Sequence, residues 1–99
     1  MTDTVTQTET SLDLQIPNLW NAKILNDDFT PVDFVITILI DIFKKDEPEA
    51  VEMTLRVHEE GAAIVGTYTK DVAETKCRKA MILAEQDGHP LRLIAEPSA

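Results

Sequence analysis

The groups best equipped for chemistry in this 99-residue chain are an amide, two carboxylates and an imidazole: Asn26, Asp27 and Asp28 in one cluster, and His58 further on. A second histidine, His89, and a single cysteine, Cys77, complete the set. The cluster falls between an apolar stretch ending at Leu25 and the helix-start residues Thr30 and Pro31. Strand ends and helix starts both leave backbone groups unpaired, so such a junction is where a small domain most readily binds something polar. Asp27, Asp28, His58 and His89 could form a metal site if the fold gathered them, as in a small metal-dependent hydrolase. Two histidines in a chain more often serve packing or hydrogen bonding. On pattern alone, the aspartates form an Asx turn that assists the following helix.

Other chemistries find weaker support. His58-Glu59-Glu60-Gly61 begins like the zinc-protease helix motif, but Ala62 stands where the second histidine is needed. Cys77 lies among apolar helix positions and reads as a small buried core residue rather than a nucleophile. With only three glycines, none close together, there is no phosphate-cradling loop.

Eighteen acidic against nine basic residues leave a formal charge of −9, which repels nucleic acid and anionic lipid and favours a cationic partner. One domain of this length has little interior to spare for a large enclosed cavity, so a ligand is met at the surface. The lone cysteine forms no internal disulfide, no apolar run approaches a membrane span, and the N-terminus carries neither a secretory nor a transit signal. These features together fit a reducing cytosol.

The elements that position the cluster follow in order. Residues 1–17 alternate threonine with polar residues and read as a flexible, disordered extension, with Leu12, Leu14 and Ile16 as apolar exceptions that could dock transiently on the domain or on a partner. The folded domain is expected over 18–99. Trp20–Leu25 predicts a first strand. A helix over Pro31–Lys44 follows, with Thr30 capping through its hydroxyl and Pro31 at the first helical position. Val35, Ile36, Thr37 and Ile38 have strand propensity, but Phe34, Val35, Ile38, Leu39, Ile42 and Phe43 share one helical stripe. Asp46 with Glu49 starts a second helix that Gly61 ends. Ala62–Tyr68 predicts a second strand, with Gly66 marking a bulge or a close approach. Thr69 caps a third helix with Val72, Ala73, Lys76, Cys77, Ala80, Met81 and Ala84 on or beside its packing face, and Leu91–Ala95 makes the last strand. The order β-α-α-β-α-β predicts an α+β two-layer sandwich, three helices on a three-stranded, largely antiparallel sheet.

Four stretches stand in sequence: Leu25-Asn26-Asp27-Asp28-Phe29-Thr30-Pro31, Val57-His58-Glu59-Glu60-Gly61, Val72-Ala73-Glu74-Thr75-Lys76 and Gly88-His89-Pro90-Leu91. Together they resemble the ClpS family, adaptors that deliver N-degron substrates to a Clp AAA+ ATPase and protease in bacteria and plastids. The resemblance spans about Leu19 to Glu96. It implies a non-enzymatic adaptor without a cofactor, a monomer in the bacterial cytosol or, as the less favoured compartment, the plastid stroma. It further implies that Asn26, Asp28 and His58 hold the free α-ammonium of a substrate's first residue, with Asp27 in the same acidic motif. The first side chain, Leu, Phe, Tyr or Trp, would enter a pocket of Thr30, Val32, Val35, Thr54, Val57 and Leu91. Asp71, Glu74 and Lys76 would help dock the N-terminal domain of the ATPase, and residues 1–17 would serve in cargo hand-over.

Two positions depart from the family pattern, because methionine is common where this chain has Val32 and Thr54. Valine is smaller and stiffer, and threonine brings a hydroxyl to an apolar wall, so Ile and Val become candidate first residues. Three classes of function therefore stand side by side: the N-degron adaptor, the metal-dependent hydrolase, and an acidic assembly domain without a pocket.

Overall fold

The computed structural model describes residues 18–98. The expected extension over 1–17, and any part it plays in hand-over, lies outside the described residues. The elements run β1 (Trp20–Leu25), α1 (Val32–Asp41), α2 (Glu47–Glu60), β2 (Ala62–Tyr68), α3 (Lys70–Gln86) and β3 (Arg92–Pro97). The sheet order is β2-β1-β3, and β1 is antiparallel to both neighbours. The predicted two-layer α+β architecture holds, with a sheet that is antiparallel throughout.

One side of the sheet is apolar and covered. Ala22 and Ile24 of β1, Ala63 and Val65 of β2 and Leu93 of β3 are buried with Val35, Ile38 and Leu39 of α1, Ala50 and Val57 of α2, and Cys77, Ala80 and Ala84 of α3. Small residues at every buried α3 position, Ala73 included, let that helix lie close on the strands. Strand alternation turns the next residues outward: Lys23 pairs across β1 with Ile64 and Ile94, and its ammonium lies 3.6 Å from Glu96.

Gly66 fills both predicted roles. The β1–β2 register shifts between Ala22 and Lys23, which is a bulge, and a Cβ on Gly66 would strike the Tyr68 ring.

The helix starts differ from expectation in an instructive way. At α2, Asp46 accepts a hydrogen bond from the Glu49 N–H at 3.0 Å, and Gly61 closes the helix at φ 89°. At α1, Thr30 does not cap. Pro31 takes the N-cap position with no side-chain cap, and the Thr30 hydroxyl donates to Asp27 instead. Thr69 occupies the N-cap of α3 but its hydroxyl makes no capping bond. Helix α1 ends at Asp41, before the expected Lys44, because Lys44 adopts a left-handed φ of 59° that no right-handed helix continues. The open carbonyl of Ile42 beyond that end accepts from the Lys76 ammonium at 2.8 Å, tying α3 to α1. Lys76 also lies 5.3 Å from the centre of the Tyr68 ring.

Candidate functional site

The end of β1, the loop to α1 and the far half of α2 meet around a cavity of about 200 Å³, a size suited to one side chain rather than a drug-sized ligand. Its floor is apolar. Ile24, Val35, Val57 and Leu91 are buried there, and Val32 stands at the rim, 57% exposed. Thr54 is buried in the wall, but its hydroxyl turns back on the helix and donates to the Ala50 carbonyl at 2.8 Å. The wall therefore presents no unsatisfied hydroxyl.

The polar rim is set by two anchors. After β1, the Asn26 N–H donates to the Gly61 carbonyl at 2.9 Å, stitching the loop to the turn that ends α2. Asp27 then organises the loop. One of its carboxylate oxygens accepts from the N–H groups of Phe29 and Thr30 at 2.8 and 2.7 Å, and the other from the Thr30 hydroxyl at 2.8 Å. Partial burial alone would raise the Asp27 pKa. The bonds from Thr30 and Phe29, together with nearby His89, outweigh it and hold the carboxyl below its ordinary value. With its oxygens committed to the loop, Asp27 frames the rim rather than serving as an open acceptor.

Asn26, Asp28 and His58 line the same cavity with exposed side chains, and no side-chain hydrogen bond among the described residues engages any of them. An amide oxygen, a carboxylate and an imidazole nitrogen around one opening form a set of acceptors suited to an ammonium, which offers several donors.

Every residue expected to hold the ammonium or wall the pocket lines this cavity: Asn26, Asp27, Asp28, His58, Thr30, Val32, Val35, Thr54, Val57 and Leu91. Sequence reasoning missed Ile24 and Leu25, the last two residues of β1. Their adjacency to Asn26 was the available signal, since a strand that delivers a rim residue also delivers the floor beneath it.

The four-residue metal cluster is not assembled. His89 packs edge-on against Phe34 with ring centres 4.8 Å apart and does not line the cavity, and no group of three or more suitable ligands occurs among the described residues. The cavity also removes the premise of a pocketless assembly domain. Cys77 is buried as expected, and burial pushes its thiol pKa up, away from nucleophilic use. At the expected docking region, Asp71 is exposed and Glu74 half-buried, whereas Lys76 is committed to Ile42 and Tyr68. No helix of the described residues is long and apolar enough to cross a membrane.

Comparison with known proteins accords with this geometry. The family model described as "ATP-dependent Clp protease adaptor protein ClpS" matches residues 15–94. The ATP-dependent Clp protease adapter protein ClpS of Deinococcus radiodurans is 45% identical over 98 residues, covering 99% of this chain and 83% of the relative. That of Nautilia profundicola is 44% identical over 93 residues, covering 94% and 96%. A solved structure of Agrobacterium tumefaciens ClpS2 bound to L-phenylalaninamide superposes with a TM-score of 0.81 at 35% identity, covering 83% of this chain and 99% of that one. The chain thus belongs to the ClpS family of Clp protease adaptors.

Proposed function

We propose that this protein is a non-enzymatic adaptor that binds the free α-amino group and bulky apolar first side chain of N-degron substrates and delivers them to a Clp AAA+ unfoldase and protease. The observation that carries the reading is the pairing, in one cavity, of a buried apolar floor with the unengaged acceptors Asn26, Asp28 and His58. The ligand of the Agrobacterium ClpS2 structure, L-phenylalaninamide, combines a free α-amine with an aromatic side chain, the chemistry that such a cavity would take.

The energetics are adequate. A charge-assisted hydrogen bond contributes about 1.5–3 kcal/mol net, and burying a Leu or Phe side chain about as much again. Two or three such bonds plus the side chain reach roughly the 8 kcal/mol of a micromolar complex before association costs. Both halves are therefore needed, which makes the adaptor selective for the first residue of a chain. In this arrangement Asn26, Asp28 and His58 accept from the ammonium, Asp27 holds the loop that presents them, and Thr30, Val32, Val35, Thr54, Val57 and Leu91 enclose the side chain.

Leu, Phe, Tyr and Trp are the expected first residues. Val32, short and at the rim, leaves room near the ligand's β-carbon, so Ile and Val are admitted more readily than a methionine at that position would allow. Asp71 and Glu74 provide the ATPase-docking contacts in the bacterial cytosol, with Lys76 fixing the helix that carries them. Anisotropy titration of labelled peptides differing only in the first residue tests the reading. Binding of Phe- and Leu-starting peptides with rejection of Gly- and Asp-starting ones is expected, and indifference to the first residue would refute it. Equal rejection of Ile and Val would refute only the Val32 refinement.

A further inference from the structure

The mouth of the cavity has a polar side and an apolar side. The bond from the Asn26 N–H to the Gly61 carbonyl draws the end of β1 against the end of α2, so Asn26 and His58 border the mouth together, with Asp28 beside them. Followed round the loop, the rim passes from Asp28 through Thr30 to Val32, which is more than half exposed. Followed back along α2 from His58, it reaches Thr54 and, next to it, Leu55, 56% exposed. Leu55 lies one turn before His58 on the same side of α2, and Val51, 38% exposed, lies one turn before Leu55. From Glu49 to the end of the helix, the remaining exposed positions are Glu49, Glu52, Arg56, Glu59 and Glu60. Glu52 and Glu59 flank Leu55 at helical spacing, and Glu52 is paired with Arg56 at 3.4 Å. Two exposed aliphatic side chains on so charged a surface, in line with a rim residue, serve contact rather than the core.

We propose that Leu55, with Val51 behind it, receives an apolar side chain at the third residue of a bound substrate, so that this adaptor selects at the third position as well as the first. The inference rests on the ammonium site proposed above. With its ammonium on Asn26, Asp28 and His58 and its side chain in the cavity, the first residue turns its carbonyl away from the acceptors. That direction is the gap between Val32 and Leu55, where the rim is apolar. An extended chain points its second side chain to solvent and returns the third to the surface, roughly 6.6 Å beyond the first. His58 and Leu55 stand one helical turn apart, about 5–6 Å between Cβ atoms, so the third side chain arrives over Leu55. Val51 extends the same apolar line by a further turn, and Val32 closes the opposite flank. Covering a half-exposed leucine in this way raises affinity roughly fivefold.

The test is an anisotropy titration of the full chain with two free-amine peptides, labelled at their C-termini and identical except that one begins Phe-Gly-Leu and the other Phe-Gly-Ser. The leucine peptide should bind about fivefold more tightly. Leu55→Ser should bring that ratio below about twofold, and Val51→Ser should reduce it by less. Leu83→Ser, which removes an exposed leucine from α3 instead, should leave the ratio as it is. Equal binding of the two peptides to the unaltered chain would overturn the proposal. So would a ratio that survives Leu55→Ser, or one lost equally on Leu83→Ser. Acetylated versions of both peptides separate this outcome from failure of the site itself. If acetylation changed nothing, the ammonium site would fall, and selection at the third position would fall with it.

Discussion

Two aspartates near helix starts perform opposite tasks, and the contrast explains how so small a domain keeps a binding site open. Asp46 accepts from the N–H of Glu49 and caps α2, a local act of stability that any globular helix could use. Asp27 accepts from Phe29 and Thr30 ahead of α1 and leaves that helix with no side-chain cap. Its carboxylate is spent on the shape of the loop. Because Asp27 satisfies the loop from within, neighbouring Asn26 and Asp28 need not, and their side chains remain available at the cavity with His58. One aspartate serves the fold; the other serves the site.

The largest effect is expected from the acceptors that Asp27 sets free. Asn26→Ala or His58→Ala should each remove a charge-assisted hydrogen bond of about 1.5–3 kcal/mol, weakening a Phe-starting peptide on the order of tenfold to a hundredfold with little change in melting temperature. Peptide titration and thermal melts on the same samples check both halves. Asp27→Ala should come next. Losing the three bonds to Phe29 and Thr30 loosens the rim and lowers affinity by about tenfold, with a smaller loss of global stability. Asp46→Ala should reverse that pattern, costing about 1 kcal/mol of stability in denaturant unfolding while affinity stays within about twofold. If Asp46→Ala weakened binding more than Asp27→Ala, the division of labour would be wrong.

The smallest effect is a pH dependence. The folded Asp27 carboxyl titrates below its ordinary value, because bonds from Thr30 and Phe29 and nearby His89 overcome the opposing effect of burial. Its contribution to loop order is therefore complete above the unfolded pKa of about 3.9 and is lost as pH falls through the lower folded value. Amide chemical shifts of Phe29 and Thr30 should stay constant down to about pH 4 and move only below it. Movement centred well above that range would show that the carboxyl is not held as described.

Much of this arrangement was legible in the residues, for local reasons. Trp20–Leu25 alternates cleanly, and Asp46 with Glu49 and Gly61 are strong helix punctuation, so β1 and α2 lie where expected. Gly66 was legible because a glycine inside a strand marks a bulge or a close approach, and the register shift and the Tyr68 ring are both found there. The roles of Thr30 and Lys76 were not legible. A threonine before a proline reads as a cap, and only the folded loop shows that its hydroxyl has a nearer acceptor in Asp27. Lys76 reads as lying on or beside the packing face of α3 and, by the resemblance, as a docking residue, but its bond to the Ile42 carbonyl depends on how α3 crosses the end of α1. The ten pocket residues came from resemblance to the family, since pattern alone favoured a simple turn at Asn26-Asp27-Asp28. The end of β3 was also misjudged. Glu96 and Pro97 look like a terminus, yet both pair with β1, so the strand runs Arg92–Pro97 rather than Leu91–Ala95.

The most direct test of the central claim is a titration of two peptides identical but for their α-amine, each beginning with Phe, one free and one acetylated. Acetylation removes the charge and two donors while leaving the side chain intact. The free peptide should bind near the micromolar range, and acetylation should weaken it by at least about a hundredfold. Equal binding of the two would mean that Asn26, Asp28 and His58 do not form an ammonium site.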